Sequence, residues 1–402
     1  RMPHVRSVSM GVWANVGARD ETAPESGLSH FIEHMIFKGT ARRSALEIAK
    51  AFDALGGQTN AFTAMEHTCY HARVLDRHLE TMIDILSDIF LHSRFDPQEV
   101  ERERPVIFQE IGMAEDSPED LLHQNANRHF WGNTPLGRSI LGTPENVARF
   151  DAGILRDFFE SHYQADRTLI SLAGNLEHEA VVALLTPRFE QLPRGRSLPP
   201  RRTPPSLHHC RVDTKPLEQT HLCLMTEGLS SVDQGRFGLT LLSTLLGGNM
   251  SSRLFQKIRE THGLAYSVYA FICAHVDTGM FGAYTAVAPD KAAPAAAMII
   301  EELDRHTHPA DDDEDLRDPK EFIRGNLHQA AESEDNQMVR LAQNEIYFGR
   351  QIPLTETLDN FDQVTPAEIM ALAARLFDPA RLSLTALGPE MDAREMEKLV
   401  GR

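Results

Sequence analysis

Five prolines and four arginines fall between Leu192 and His209, in LPRGRSLPPRRTPPSLHH, at the midpoint of a 402-residue chain. Such a stretch continues neither a helix nor a central strand, because proline lacks the amide hydrogen both need. A chain this long also exceeds what one core ordinarily organises. The span therefore reads as an exposed connector. It predicts an N-terminal domain over residues 1–192, a linker over 193–206 and a C-terminal domain over 207–402.

Both halves open alike. VRSVSMGVWANVG and QTHLCLMTEGL alternate apolar and polar residues as half-buried strands do. Each passes through a polar turn (ARDETAPES, SSVDQGR) into an apolar helical segment (GLSHFIEHMIFKGT, FGLTLLSTLLGGN). Aligning Gly27 with Gly238 sets His30, Glu33 and His34 opposite Leu241, Thr244 and Leu245. That is the pattern of an internal duplication whose second copy lacks the polar trio, although two unrelated strand–helix units would look similar. Further helices are expected over 43–55, 76–92, 96–115, 119–131, 151–162, 178–187, 252–261, 290–306, 320–347 and 366–377. Strands are expected over 5–16, 58–74, 167–174, 219–226, 265–274, 279–287 and 381–387, with the acidic run 308–320 as a solvated connector. Strands in hairpin-like neighbourhoods, mixed with helices, predict an α+β fold of two homologous domains, each a mainly antiparallel sheet packed with helices.

The balance of 40 basic to 58 acidic residues gives a net charge of −18, which argues against a nucleic-acid partner and fits a neutral or basic one. No apolar run reaches the roughly 18–20 residues that span a bilayer. Cys69, Cys210, Cys223 and Cys273 are scattered without a C-x-x-C pair. They point to a reducing compartment, hence a cytoplasmic location or, in a eukaryote, the mitochondrial matrix. The first residues already read as a strand, so no secretory leader is expected in this stretch, and a short segment is expected to have preceded Arg1.

GLSHFIEHMIFKGT, residues 27–40, carries the chemistry. On a helix, Leu28, Phe31, Ile32 and Met35 form the stripe that faces a core, and His30, Glu33 and His34 cluster on the opposite side. Gly39 is placed to end the helix. Two imidazoles at i and i+4 can reach one ion at about 2.0–2.1 Å. The glutamate just before the second histidine can then take a proton from water that the ion acidifies. The order H-x-x-E-H inverts the commoner zinc-peptidase motif. Alone, it also arises by chance.

A catalytic zinc needs a third protein ligand. FDPQEVERERPVIFQEIGMAEDSPED, residues 95–120, is the best donor. Asp96, Pro97 and Glu99 make a capping-box start, and Glu103 and Glu110, seven apart, share a helix face. Glu110 lies beside Ile107 and Ile111, where a carboxylate needs a partner. By residue pattern alone, any one glutamate here could equally be a solvated surface charge.

These residues together resemble the pitrilysin/insulinase-type (inverzincin) zinc peptidases, and especially the branch like mitochondrial processing peptidase. In that family H-x-x-E-H is followed about 76 residues later by a glutamate, and 76 residues separate His34 from Glu110 here. GGQTNAFTAMEHTCY (56–70), ERERPVIFQEI (101–111) and GGNMSSRLFQKIRETHGLAYSV (247–268) match too, so the resemblance spans essentially the whole chain. It implies one Zn2+ per chain held by His30, His34 and Glu110, with Glu33 as general base and Glu103 supporting the site. It also implies that the edge strand around Asn60 and Ala61 pairs with an extended peptide substrate. In some relatives an arginine and a tyrosine of the second half hold substrate. Tyr284 is the candidate tyrosine, and Arg253 and Tyr266 read as structural. Pro105 departs from the pattern and should kink the donor helix, which bears on Glu103 more than on Glu110. His67, His71, His208, His209 and His221 read as packed or surface histidines. The expected activity is hydrolysis of short or unfolded peptides by a homodimer, with a heterodimeric processing peptidase or a non-catalytic scaffold as alternatives.

Overall fold

The computed structural model describes residues 1–195, 199–305 and 313–401. Parts of three expectations, 196–198 of the linker, 306 of the helix 290–306 and 308–312 of the acidic run, lie outside the described residues. The first half runs β1 (Ser7–Ala14), α1 (Leu28–Met35), α2 (Ala45–Ala54), β2 (Gln58–Thr63), β3 (Thr68–Leu75), α3 (Leu79–His92), α4 (Pro97–Asp116), α5 (Pro118–Trp131), the one-turn α6 (Pro144–Val147), α7 (Ala152–His162), β4 (Thr168–Gly174) and α8 (His178–Phe189). The second runs β5 (Cys210–Thr214), β6 (Thr220–Glu227), α9 (Arg236–Gly247), a π-type helix Phe255–Thr261, β7 (Ala265–Ala274), β8 (Gly279–Val287), α10 (Ala292–Arg305), α11 (Asp313–Ala331), α12 (Glu334–Phe348), α13 (Leu354–Gln363), α14 (Pro366–Leu376), β9 (Ser383–Gly388) and α15 (Ala393–Leu399).

The two sheets share one plan. The first has the order β2-β3-β1-β4, all antiparallel. The second has β5-β9-β6-β8-β7, antiparallel except that β5 joins β9 in parallel. In each, the strand before the apolar helix (β1 before α1, β6 before α9) is central and the strand of the later hairpin that this helix touches (β2 for α1, β7 for α9) is at the edge. Leu241, Thr244 and Leu245, opposite the metal-motif residues in the sequence alignment, are buried on α9. The α+β fold is thus the one the sequence predicts.

Several boundaries move. The expected strand 58–74 is a hairpin, turned by Ala64–His67, and the expected helix 320–347 breaks at Glu332–Ser333, where Ser333 caps α12. The acidic run is helical from Asp313. α4 runs as one element through Pro105.

A larger departure concerns the strands themselves. β1 is buried on both faces from Val8 to Ala14, not half-buried. Val8, Met10, Val12 and Ala14 enter the main core with α1 and α3, while Trp13 on the other face meets Cys69, Ala173 and, from α12, Met338 and Ala342. Ser7 and Ser9 donate to Glu334 and Asp335 at the start of α12. The compact units follow these contacts: unit 1 holds residues 1–113, 138–201 and 328–351, and unit 2 holds 114–137, 202–327 and 352–402. Each half of the chain thus sends a helix, α5 or α12, to the sheet of the other. A cut at the linker alone does not describe the units. Arg201, late in the linker, belongs to unit 1, where its guanidinium binds Asp20 (2.8 Å) and the Glu66 carbonyl (2.6 Å).

Candidate metal centre

The site lies in unit 1. α1 forms because Leu28, Phe31, Ile32 and Met35 share a fully buried stripe, as expected. The opposite side faces α4 and the end of β2. His30 Nε2 lies 3.3 Å and His34 Nε2 3.4 Å from the same oxygen of Glu110, and the two rings sit 4.7 Å apart. Among the described residues these three side chains are the one group whose ligand atoms converge, all within 4.8 Å of one another.

Neighbouring groups orient the two imidazoles. Glu103 Oε1 lies 2.8 Å from His34 Nδ1, and its other oxygen lies 2.5 Å from Lys38 Nζ. Burial works to raise the Glu103 pKa, but the bonds from His34 and Lys38 overcome it and hold the group below the ordinary carboxylate range. Nδ1 of His34 is therefore the donor to Glu103, which leaves Nε2 as the ring atom that faces Glu110. Burial, then the neighbouring His34, pushes His30 down to about 4, so it is neutral near pH 7, whereas the Glu103 bond and the charges of Glu110, Glu103 and Glu33 outweigh burial at His34 and raise its pKa. Two imidazole nitrogens closing on one carboxylate oxygen form an electron-rich cup that a divalent ion fits. His30 Nδ1 is buried with no hydrogen-bond partner.

Glu33 stands beside this cup, its Oε2 accepting the Thr63 hydroxyl at 2.6 Å. Burial raises its pKa above the ordinary value against the pull of Thr63 and His34. Thr63 ends β2, the edge strand that carries Asn60 and Ala61. Asn60 is exposed, and its Oδ1 accepts the Ala61 amide at 2.9 Å.

Tyr284 is elsewhere. It lies on β8 in unit 2, 1% exposed, with its hydroxyl 2.9 Å from His221 Nδ1 and its ring stacked on His123. A side chain so enclosed presents no surface to a substrate. The most exposed aromatic of that half among the described residues is Tyr266, 81% accessible, with the Arg259 guanidinium 4.6 Å over its ring and donating to its carbonyl at 3.1 Å. Arg259 escaped the sequence reading, although a cation seven residues before a tyrosine was its signal. Arg253 sits in a groove with Ser252, Met250 and Phe322. Thr63 was visible only as one more polar strand residue. His67, His209 and His221 are buried, and His71 and His208 half-buried. No disulfide joins the four cysteines.

Comparison with known proteins agrees with this geometry. The family model Insulinase (Peptidase family M16) matches residues 1–144, and Peptidase M16 inactive domain matches 149–317. The chain is 39% identical over 378 residues to the uncharacterized zinc protease YmxG of Bacillus subtilis, covering 93% of this chain and 91% of that one. It is also 39% identical over 393 residues to an uncharacterized zinc protease of Mycobacterium leprae, covering 96% and 88%. The fold matches the crystal structure of a protease from Helicobacter pylori with a TM-score of 0.90 at 20% identity, over 96% of this chain and 94% of that chain. This chain belongs to the insulinase family of peptidases, M16.

Proposed function

We propose that the protein is a zinc-dependent endopeptidase acting on short or unfolded peptides, with His30, His34 and Glu110 holding the ion and Glu33 as general base. The convergence of two Nε2 atoms on one Glu110 oxygen, with Glu33 alongside, carries this reading. Zinc bound there supplies a Lewis acid and lowers the pKa of water toward about 7. Glu33 accepts the proton from the attacking water and returns it to the leaving amine, and its raised pKa suits both steps. Thr63 holds that carboxylate in place, and Glu103, backed by Lys38, fixes the His34 tautomer.

The exposed edge β2 takes an extended peptide by main-chain pairing, which favours unfolded segments over any one sequence. Arg259 and Tyr266 are the pair proposed to hold substrate. Tyr284 is set aside for that role by its burial. The intact ligand set speaks against a non-catalytic scaffold. A homodimer in a reducing, cytoplasmic compartment is the proposed working form, with a heterodimer as the alternative.

The test is metal content alongside peptide cleavage. One zinc per chain, lost in His30→Ala, is expected. Glu33→Gln should keep the metal and lose about 10²–10⁴-fold in kcat. Undiminished cleavage by Glu33→Gln refutes the mechanism.

A further inference from the structure

α1 has only eight residues and no cap of its own: the residue before it is Gly27, in the left-handed region at φ 103°. The first turn of such a helix has amide hydrogens with no intrahelical acceptor. Glu21, six residues upstream in the polar turn, supplies the acceptors. Its Oε2 takes the Gly27 amide at 2.8 Å and its Oε1 the Ser29 amide at 2.7 Å. Ser29 immediately precedes His30. The carboxyl group is 3% exposed, and burial pushes its pKa up to about 8 against the pull of the Ser29 and Gly27 amides. Both oxygens nonetheless stand at hydrogen-bond distance from a backbone amide, so the clamp is a matter of geometry.

The turn that carries Glu21 is itself pinned. Asn146 Nδ2 donates to the Ala23 carbonyl at 2.8 Å and lies 3.3 Å from that of Ser26. Arg138 donates to the Glu21 carbonyl. Gly27 and Gly142 touch so closely that a Cβ on Gly27 would stand 2.9 Å from Gly142 Cα. The two-pronged bond from Glu21 therefore ties the start of α1 to a fixed support and sets its rotation about its own axis.

We infer that Glu21 is a positioning residue for the metal centre, holding α1 so that His30 and His34 both aim Nε2 at Glu110. This rests on the reading of those three residues as a metal site. In Glu21→Gln one prong becomes an NH2 group facing a backbone N–H, and that bond is lost.

The test is cobalt(II) affinity and the cobalt absorption spectrum of the full-length protein, with kcat and KM measured separately. Glu21→Gln should weaken metal binding by about 10-fold or more. It should also alter the spectrum and lower kcat with KM held. Ser171→Ala, which strips the 2.9 Å bond from Trp13, should leave all of these unchanged. If Glu21→Gln does not fold, Glu21→Asp takes its place, with a smaller loss expected. Wild-type affinity and spectrum in the variant that folds overturn the inference alone, whereas a wild-type protein that binds no cobalt overturns the metal-site reading and this inference with it.

Discussion

Removing Glu103 should weaken metal binding by an amount its bonds let one work out. Its carboxylate is nearly enclosed and accepts from His34 Nδ1 at 2.8 Å and from Lys38 at 2.5 Å. A hydrogen bond to a charged group contributes about 1.5–3 kcal/mol, and this is a ceiling, because part of it survives in the metal-free protein. Loss of the partner that orients a ligating histidine typically costs 10–100-fold in affinity, about 1.4–2.7 kcal/mol, which fits under that ceiling. Glu103→Ala is thus expected to bind zinc about 10–100-fold more weakly. In Glu103→Gln an amide oxygen still accepts from Nδ1 without the charge, and a neutral bond is roughly half as strong. The expected loss is about 3–10-fold. The pH dependence has a definite sign. Burial works to lower the His34 pKa, but the Glu103 bond and the charges of Glu110, Glu103 and Glu33 outweigh it and raise the value above its ordinary level. Protons compete with metal at His34 below that raised pKa. Without Glu103 the pKa falls, so the variant's deficit is largest above neutral pH and narrows on acidification. Competition titration against a chromophoric chelator between pH 6 and 8 reads this directly. A Glu103→Ala affinity within twofold of wild type across that range refutes the role assigned to Glu103.

Thr63→Val removes the hydrogen bond that pulls Glu33 downward, so the acid limb of kcat/KM should move to higher pH; a pH–rate profile with an unmoved limb contradicts the contact. Arg19 and Glu66 form a buried pair at 2.7 Å, with side chains 3% and 2% exposed. Arg19→Met removes the shortest cation contact of that carboxylate and should destabilise unit 1 by up to about 3 kcal/mol in urea denaturation; a loss below about 1 kcal/mol would show that Arg201 at 3.8 Å and Tyr347 at 3.4 Å suffice. Tyr266→Ala should raise KM several-fold and leave the melting temperature unchanged, since the ring is exposed; an unaltered KM removes Tyr266 from substrate binding.

How far the sequence revealed this molecule depends on which contacts are local. His30, Glu33 and His34 lie within one helical turn, and the stripe of Leu28, Phe31, Ile32 and Met35 says which way that turn faces, so half of the cup was legible directly. Glu110 was singled out by spacing and family resemblance, since an acidic helix offers several similar carboxylates. Thr63 and Glu21 were invisible in their roles: Thr63 acts through one hydrogen bond to a residue 30 positions away and Glu21 through two, 6 and 8 positions away, and no periodicity marks such bonds. The burial of Tyr284 was not legible, because alternation in TGMFGAYTAVAP does not tell which face another helix will cover. The same blindness made β1 look half-buried. Ser7 and Ser9 read as solvent-facing, yet they bind Glu334 and Asp335, more than three hundred residues on.

That long-range contact has a consequence for how the chain can be divided. Cleaved in its proline-rich connector, the polypeptide would give two fragments that each carry a helix the other needs. The first would leave Trp13 and Cys69 without Met338 and Ala342; the second would leave β6 and β9 without α5. Neither fragment is a domain in the sense of folding alone, and a nicked protein should stay together as a complementing pair. Deleting the second half would take with it α12, the cover of the sheet beside the proposed metal centre, so the first half cannot shed the second without baring its own core.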